Sequence, residues 1–167
     1  MNDIALYGID EDVLALLARA LASRVREGGS IHLAGPLGAG KTTFARALLR
    51  ALGAGERVKS PTYTLIETYA LPGLTVQHLD LYRIAAAEEL EWLGLRDLAD
   101  GPVLWLIEWP ERGIGAIPAP DLAVQLSYAK AGRDARVTAY GDRGARWLAG
   151  LSSTVAETAG QQVSQHS

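Results

Sequence analysis

The chain has 167 residues, 16 basic and 19 acidic side chains, a net charge of −3 and no cysteine. That length suits one domain around a single core; the charge argues against bulk attraction to nucleic acid or an anionic membrane, so any RNA connection is expected to be indirect; and the missing thiols remove disulfides, thiolate zinc sites and cysteine nucleophiles. Acids in the opening MNDIALYGIDEDVL are unlike the basic start of a leader, and no apolar run approaches the ~20 residues of a membrane span, so a cytoplasmic protein without membrane contact is expected.

The first element predicted is an amphipathic helix. In DEDVLALLARALASRVREGG, Val13, Leu14, Leu16, Leu17, Leu21 and Val25 recur at helical spacing, acids fill the first turn, and Gly28 and Gly29 end it. SIHLAG follows as a short buried strand, then a knot of glycines, then KTTFARALLRALGAG as a helix with Phe44, Leu48 and Leu52 facing inward and Gly53 capping it. Beyond Ser60 the period becomes two: YTLIETYAL and LTVQHLDLYRI flank Pro72 and Gly73 and read as a β-hairpin. AAEELEWLGLRDLAD reads as a helix and PVLWLIEW as an apolar strand ending in an acid. DLAVQLSYA and ARVTAYG frame a second hairpin across KAGRD, and DRGARWLAGL supplies a last helix. SSTVAETAGQQVSQHS has no apolar period, so residues 1–151 are expected to form the domain and 152–167 a disordered polar tail.

One of only three lysines stands in the glycine knot. Gly35, Gly40, Lys41 and Thr42 satisfy G-x-x-x-x-G-K-[ST] between a strand and a helix, the context this phosphate-binding pattern requires. Glycines let the backbone curl so that several N–H groups point at one anion, and the helix that starts near Lys41 adds about half a positive charge. Lys41 is then placed to bridge β- and γ-phosphate oxygens, and the Thr42 hydroxyl suits a Mg²⁺ ligand position. The bland alternative is a glycine-rich turn with a surface lysine.

A magnesium ion needs a carboxylate as well, and two acids end apolar strands: Asp80 in VQHLDLYR and Glu108 in VLWLIEWPE. Glu108 fits the apolar-run-then-acid pattern better, whereas Asp80 shares a strand face with His78 and Tyr82, a polar row suited to a cleft. His78 itself reads as a hydrogen-bonded packing residue. In KSPTYTL, Thr62 or Thr64 is placed to sense a γ-phosphate, or Ser60 and Pro61 simply begin a strand. No Asn-Lys-x-Asp or Thr-Lys-x-Asp stretch occurs, which favours ATP over GTP.

GPLGAGKTTFARALL, VKSPTYTLIETY, HLDLYR and EWPERG, in that order, resemble the TsaE (YjeE) family over most of residues 10–145. The resemblance implies an α/β, P-loop NTPase-like three-layer sandwich with a mixed central sheet including antiparallel hairpins. It also implies an ATPase using ATP and Mg²⁺ in support of the partner proteins TsaD and TsaB, which make threonylcarbamoyladenosine at position 37 of tRNA. Carried onto this chain, it makes Gly35, Pro36, Leu37, Gly38, Ala39, Gly40, Lys41 and Thr42 the phosphate loop, with Thr43 contributing to the nucleotide site. Thr42, Glu108 and Asp80 become the metal-site residues for Mg²⁺, Asp80 being also the strand acid needed for turnover. Trp109 becomes an aromatic that reports nucleotide occupancy, and Lys130 and Arg133 lie near the nucleotide or the partner. Catalytic roles fall on Lys41, Asp80 and Glu108. No arginine finger is evident in cis, so slow turnover that rises with the partner is expected. Two other readings remain: a small-molecule kinase with Asp80 as base, though no arginine cluster resembles the lid such an enzyme needs, and a non-hydrolysing module in which ATP only orders KSPTYTL for a partner.

Overall fold

A computed structural model of the chain describes residues 2–94 and 101–157. In chain order the elements are β1 (Asp3–Ile9), α1 (Glu11–Leu21), β2 (Gly29–Ala34), α2 (Lys41–Leu52), β3 (Ile66–Leu71), β4 (Leu74–Asp80), β5 (Val103–Glu108), β6 (Leu122–Tyr128), β7 (Arg133–Ala139) and α3 (Gly141–Leu148). Short 3₁₀ turns lie at Gly55–Arg57, Ala87–Leu93 and Pro110–Arg112.

Among the described residues the strands make one seven-stranded mixed sheet in the order β1-β7-β6-β2-β5-β4-β3. Its centre is parallel, β2 lying between β5 and β6 and β4 beyond β5, while the hairpins β3–β4 and β6–β7 and the pair β1–β7 are antiparallel. A strand with parallel neighbours and cover on both faces has no solvent side, which is why all six residues of β5 are buried. Both hairpins fall where the two-residue period and turn dipeptides place them, the first turning at Pro72 and Gly73 so that Leu71 faces Leu74.

The two faces of the sheet are covered differently. On one, Leu14, Leu17 and Leu21 of α1, Phe44, Leu48 and Leu52 of α2 and Trp147 of α3 pack against Ile31, Leu33, Val76, Leu104 and Leu106. On the other, Leu81, Ile84 and Leu90 close over Leu79, Trp105 and Ile107 in a smaller cluster. The architecture is an α/β, P-loop NTPase-like sandwich with a mixed central sheet. No helix among the described residues is long and apolar enough to cross a membrane.

Four local expectations change. The N-terminal segment, read only as an acidic lead-in to α1, is an edge strand: β1 pairs with β7, with a register shift between Leu6 and Ile9 where the Gly8 amide donates to Asp134 Oδ1 at 2.8 Å. Its half-exposed residues carry little apolar contrast, so no strand period shows in the sequence. α1 begins as expected, with Asp10 Oδ1 accepting from the Val13 amide at 2.9 Å, but stops at Leu21. The following turn lets Arg24 donate to the Trp147 carbonyl at 3.0 Å while Val25 stays in the core. The helix expected from Ala86 to Asp100 is a 3₁₀ segment over Ala87–Leu93, and its remainder from residue 95 lies outside the described residues. Residues 152–157, assigned to a polar tail on composition, are helical with residue 151, because Leu151 and Val155, four apart, both bury against the core. Residues 158–167 lie outside the described residues.

Candidate functional site

The loop from Gly35 to Gly40 leaves the carboxyl end of β2 and feeds α2, at the sheet edge where α/β proteins bind ligands. Two of its glycines are required by space and backbone. Gly35 has φ +148°, and a Cβ there would sit 2.6 Å from the Leu126 carbonyl oxygen. Gly40, with φ +115°, caps α2, and a Cβ would meet Leu14 Cδ2 at 2.5 Å. No side chain caps the first turn of α2, and no acid lies in it, so its amides and its positive dipole end face the loop.

Lys41, the first residue of α2, is buried. Its ammonium donates to the carbonyls of Gly35 at 2.5 Å and Pro36 at 2.9 Å, and lies 4.0 Å from the centre of the Trp109 ring. Burial pushes the amine below the usual lysine value, with the charges of Glu108, Glu111 and Asp80 pulling the other way. Trp109 takes this position because it follows β5 in a left-handed conformation, φ +58°, and packs against Tyr82 with the ring centres 4.9 Å apart.

Asp80 and Glu108 end β4 and β5, and the parallel register sets them side by side. Thr42 Oγ1 donates to Glu108 Oε1 at 3.0 Å, and His78 Nε2 meets Glu108 Oε2 at 2.7 Å, with both His78 and Glu108 only 1% exposed. One carboxylate is therefore held from two sides. Asp80 Oδ1 instead accepts from the Tyr82 amide at 3.0 Å. Burial, together with the neighbouring Glu108 charge, pushes the Asp80 carboxyl above the ordinary aspartate range despite that bond. The row His78–Asp80 lies on one face of β4, as the alternation requires, and His78 is the buried, hydrogen-bonded residue expected, its partner being Glu108.

These groups open onto a cleft of about 460 Å³ lined by Gly38, Gly40, Lys41, Thr42, Thr43, Asp80 and Glu108. Thr62 also lines it, whereas Thr64 turns to Glu67 Oε1 at 3.1 Å. Arg83 reaches the same cleft, its guanidinium 4.7 Å from the Tyr63 ring, a position the chain order alone does not reveal. From the β7 side Arg133 comes within 3.8 Å of the position a Gly40 Cβ would take. Its Nε and Nη1 are buried without hydrogen-bond partners among the described residues. Lys130, at the same hairpin, is exposed.

The donor set fits a nucleotide polyphosphate. A glycine cradle that excludes Cβ atoms, a buried ammonium and free helix amides converge on one cleft, with the Arg133 guanidinium behind Gly40. A divalent cation would find a hydroxyl and a carboxylate 3.0 Å apart, but no group of three acidic or imidazole side chains that could hold a metal occurs among the described residues. That suits Mg²⁺, which keeps waters and phosphate oxygens among its ligands.

Fold and loop thus define a P-loop NTPase-like protein. The family model described as threonylcarbamoyl adenosine biosynthesis protein TsaE matches residues 9–137, and the chain belongs to that family. It is 42% identical over 123 residues to the tRNA threonylcarbamoyladenosine biosynthesis protein TsaE of Haemophilus influenzae, covering 74% of this chain and 78% of the relative. With the protein of the same name from Bacillus subtilis it shares 36% over 146 residues, 86% and 90% of the two chains. The crystal structure of Bacillus subtilis YdiB superposes with a TM-score of 0.69 over 90% of this chain and 94% of that one, at 24% identity.

Proposed function

We propose that the protein binds ATP with Mg²⁺ and hydrolyses it in support of a TsaD–TsaB assembly that makes threonylcarbamoyladenosine in tRNA. The observation that carries the reading is Lys41 and Thr42 at the head of α2 with Thr42 bonded to Glu108 across the cleft. Family membership supports the pathway, since the relatives bear its name.

In this reading the loop amides and Lys41 take the phosphates. The ammonium now satisfied by the Gly35 and Pro36 carbonyls exchanges those partners for β- and γ-phosphate oxygens. Arg133, with its guanidinium 3.8 Å from where a Gly40 Cβ would stand, adds positive charge behind the loop. Thr42 and Glu108 would hold the cation, while His78 bonds the second oxygen of that carboxylate and Asp80 stands beside it. Mg²⁺ would neutralise charge on the β- and γ-phosphates. Asp80, more basic than an ordinary aspartate because it is buried, orients the attacking water and accepts its proton. Partner binding raises turnover by completing the charge around the transferred phosphoryl group.

Calorimetry with MgATP tests the nucleotide step: wild type takes up one nucleotide, and Lys41→Ala weakens binding by about 100-fold or more. Folded wild type that takes up no nucleotide overturns the reading. Turnover measured with and without TsaD–TsaB tests the partner step, and equal rates count against it.

A further inference from the structure

Away from the cleft, α1 and α2 leave a groove of about 520 Å³ between them. Glu11 at the head of α1 lines the nucleotide cleft, while Arg19 in its last turn lies with Arg46 and Arg50 of α2, so the two helices run in the same direction. The groove floor is Ala15, Ala47 and Ala51, side chains small enough to admit close approach of another backbone. Its walls are the three arginines, all exposed.

No acid among the described residues pairs with them. None of the three makes an ion pair or a side-chain hydrogen bond among the described residues, whereas Arg143 and Arg146, at the far end of the molecule, pair with Asp121 and Glu27. Arg19 and Arg50 sit in last helical turns, where a cation gains from the helix dipole, but that dipole carries only about half a charge and Arg46 lies a turn earlier. A concentration of positive charge on a chain whose net charge is −3 is a local feature with a local purpose.

We propose that this groove docks a helical segment of a partner protein that carries a cluster of carboxylates on one face. The occupant follows from shape and charge. An alanine-floored slot between two helices takes a third helix, and guanidinium forks pair bidentately with carboxylates and are enriched among energetically dominant interface residues. A nucleic-acid duplex needs a longer basic track than three side chains within two helical turns. Thr43 lines both this groove and the nucleotide cleft, so a docked helix touches the first turn of α2 and reads the state of the phosphate loop. The inference rests on the reading that the chain acts on a TsaD–TsaB assembly, and names the surface it uses.

The test measures association of full-length chain with the TsaD–TsaB complex at low and moderate salt, beside MgATP calorimetry on the same preparations. The double variants Arg46→Glu/Arg50→Glu and Arg46→Gln/Arg50→Gln are compared with wild type, the second serving if charge reversal impairs folding. Wild-type affinity for the complex is expected to fall with salt, by at least tenfold on charge reversal and by about threefold to tenfold on neutralisation, with MgATP affinity unchanged. Equal binding of wild type and variants overturns the docking surface and leaves the ATPase reading in place. Wild type that takes up MgATP but never binds the complex overturns the docking surface and the partner reading together. Loss of binding to tRNA in the variants, with complex formation intact, overturns the inference in favour of an RNA surface.

Discussion

One face of β4 and β5 carries two regions of opposite character. In their first halves, Leu74, Val76, Leu104 and Leu106 point at α2 and join its Phe44 and Leu48 in the core. One pleat further on, the same rows present His78, Asp80 and Glu108, equally hidden from water. The apolar half gains free energy from burial; the polar half is held by bonds among its own groups and to the head of α2, with His78 Nδ1 left unpartnered among the described residues. A single geometric device, parallel strands ending at a helix N-terminus, therefore supplies a foundation at one level and a chemical site at the next.

Damage to the two regions should separate cleanly. Phe44→Ala removes a fully buried ring and is expected to cost about 3–5 kcal/mol of stability, read from denaturant midpoints. Nucleotide affinity per folded molecule should hardly change. Glu108→Gln does the reverse: it keeps the shape and one acceptor for Thr42 but removes the charge, and turnover should fall about 10²–10³-fold with MgATP still bound. A Glu108→Gln variant that hydrolyses ATP at the wild-type rate would place the cation elsewhere.

The contrast also explains what the chain order reveals. The foundation is legible because burial imposes a period: Leu14, Leu17 and Leu21, or Phe44, Leu48 and Leu52, recur as a helix face demands. The glycine loop is legible because a close backbone at Gly35, and a left-handed conformation against Leu14 at Gly40, admit only glycine. That Glu108 and not Asp80 meets Thr42 is legible in part: the longer apolar run before Glu108 favours it, but both acids end apolar strands, and the three-dimensional arrangement sets Glu108 against the hydroxyl and leaves Asp80 with the Tyr82 amide. His78 reads as packing in the sequence because a buried histidine in a strand usually is; its contact with Glu108 depends on β4 lying beside β5, a pairing separated by the whole 81–102 connection. β1 and the helical turn at 151–157 are hidden for the opposite reason, their few apolar side chains being diluted by polar neighbours.

His78 sharpens the comparison because it is buried like a core residue yet bonds the Glu108 carboxylate. If its imidazole holds Glu108 for the cation, His78→Leu should lower the apparent Mg²⁺ affinity in turnover by about 10–100-fold. His78→Asn, which can still donate to the carboxylate, should recover part of that loss. A residue that merely fills space would give the opposite order, since Leu packs better than Asn in an apolar site.

The smallest effect expected is a gain. Because burial raises the Asp80 carboxyl above its ordinary value near 3.8, the folded chain binds that proton more tightly than the unfolded one. Its contribution to stability is then complete below that value and is lost as pH rises through the folded pKa, so at neutral pH the ionised group works against folding. Asp80→Asn should therefore raise the melting temperature at pH 7 without magnesium, by an amount that shrinks as pH falls toward the ordinary aspartate value, while turnover declines. Such a pairing of lost activity with gained stability marks a charge kept for chemistry. A variant that melts lower than wild type at pH 7 would mean instead that Asp80, through its bond to the Tyr82 amide, belongs to the foundation.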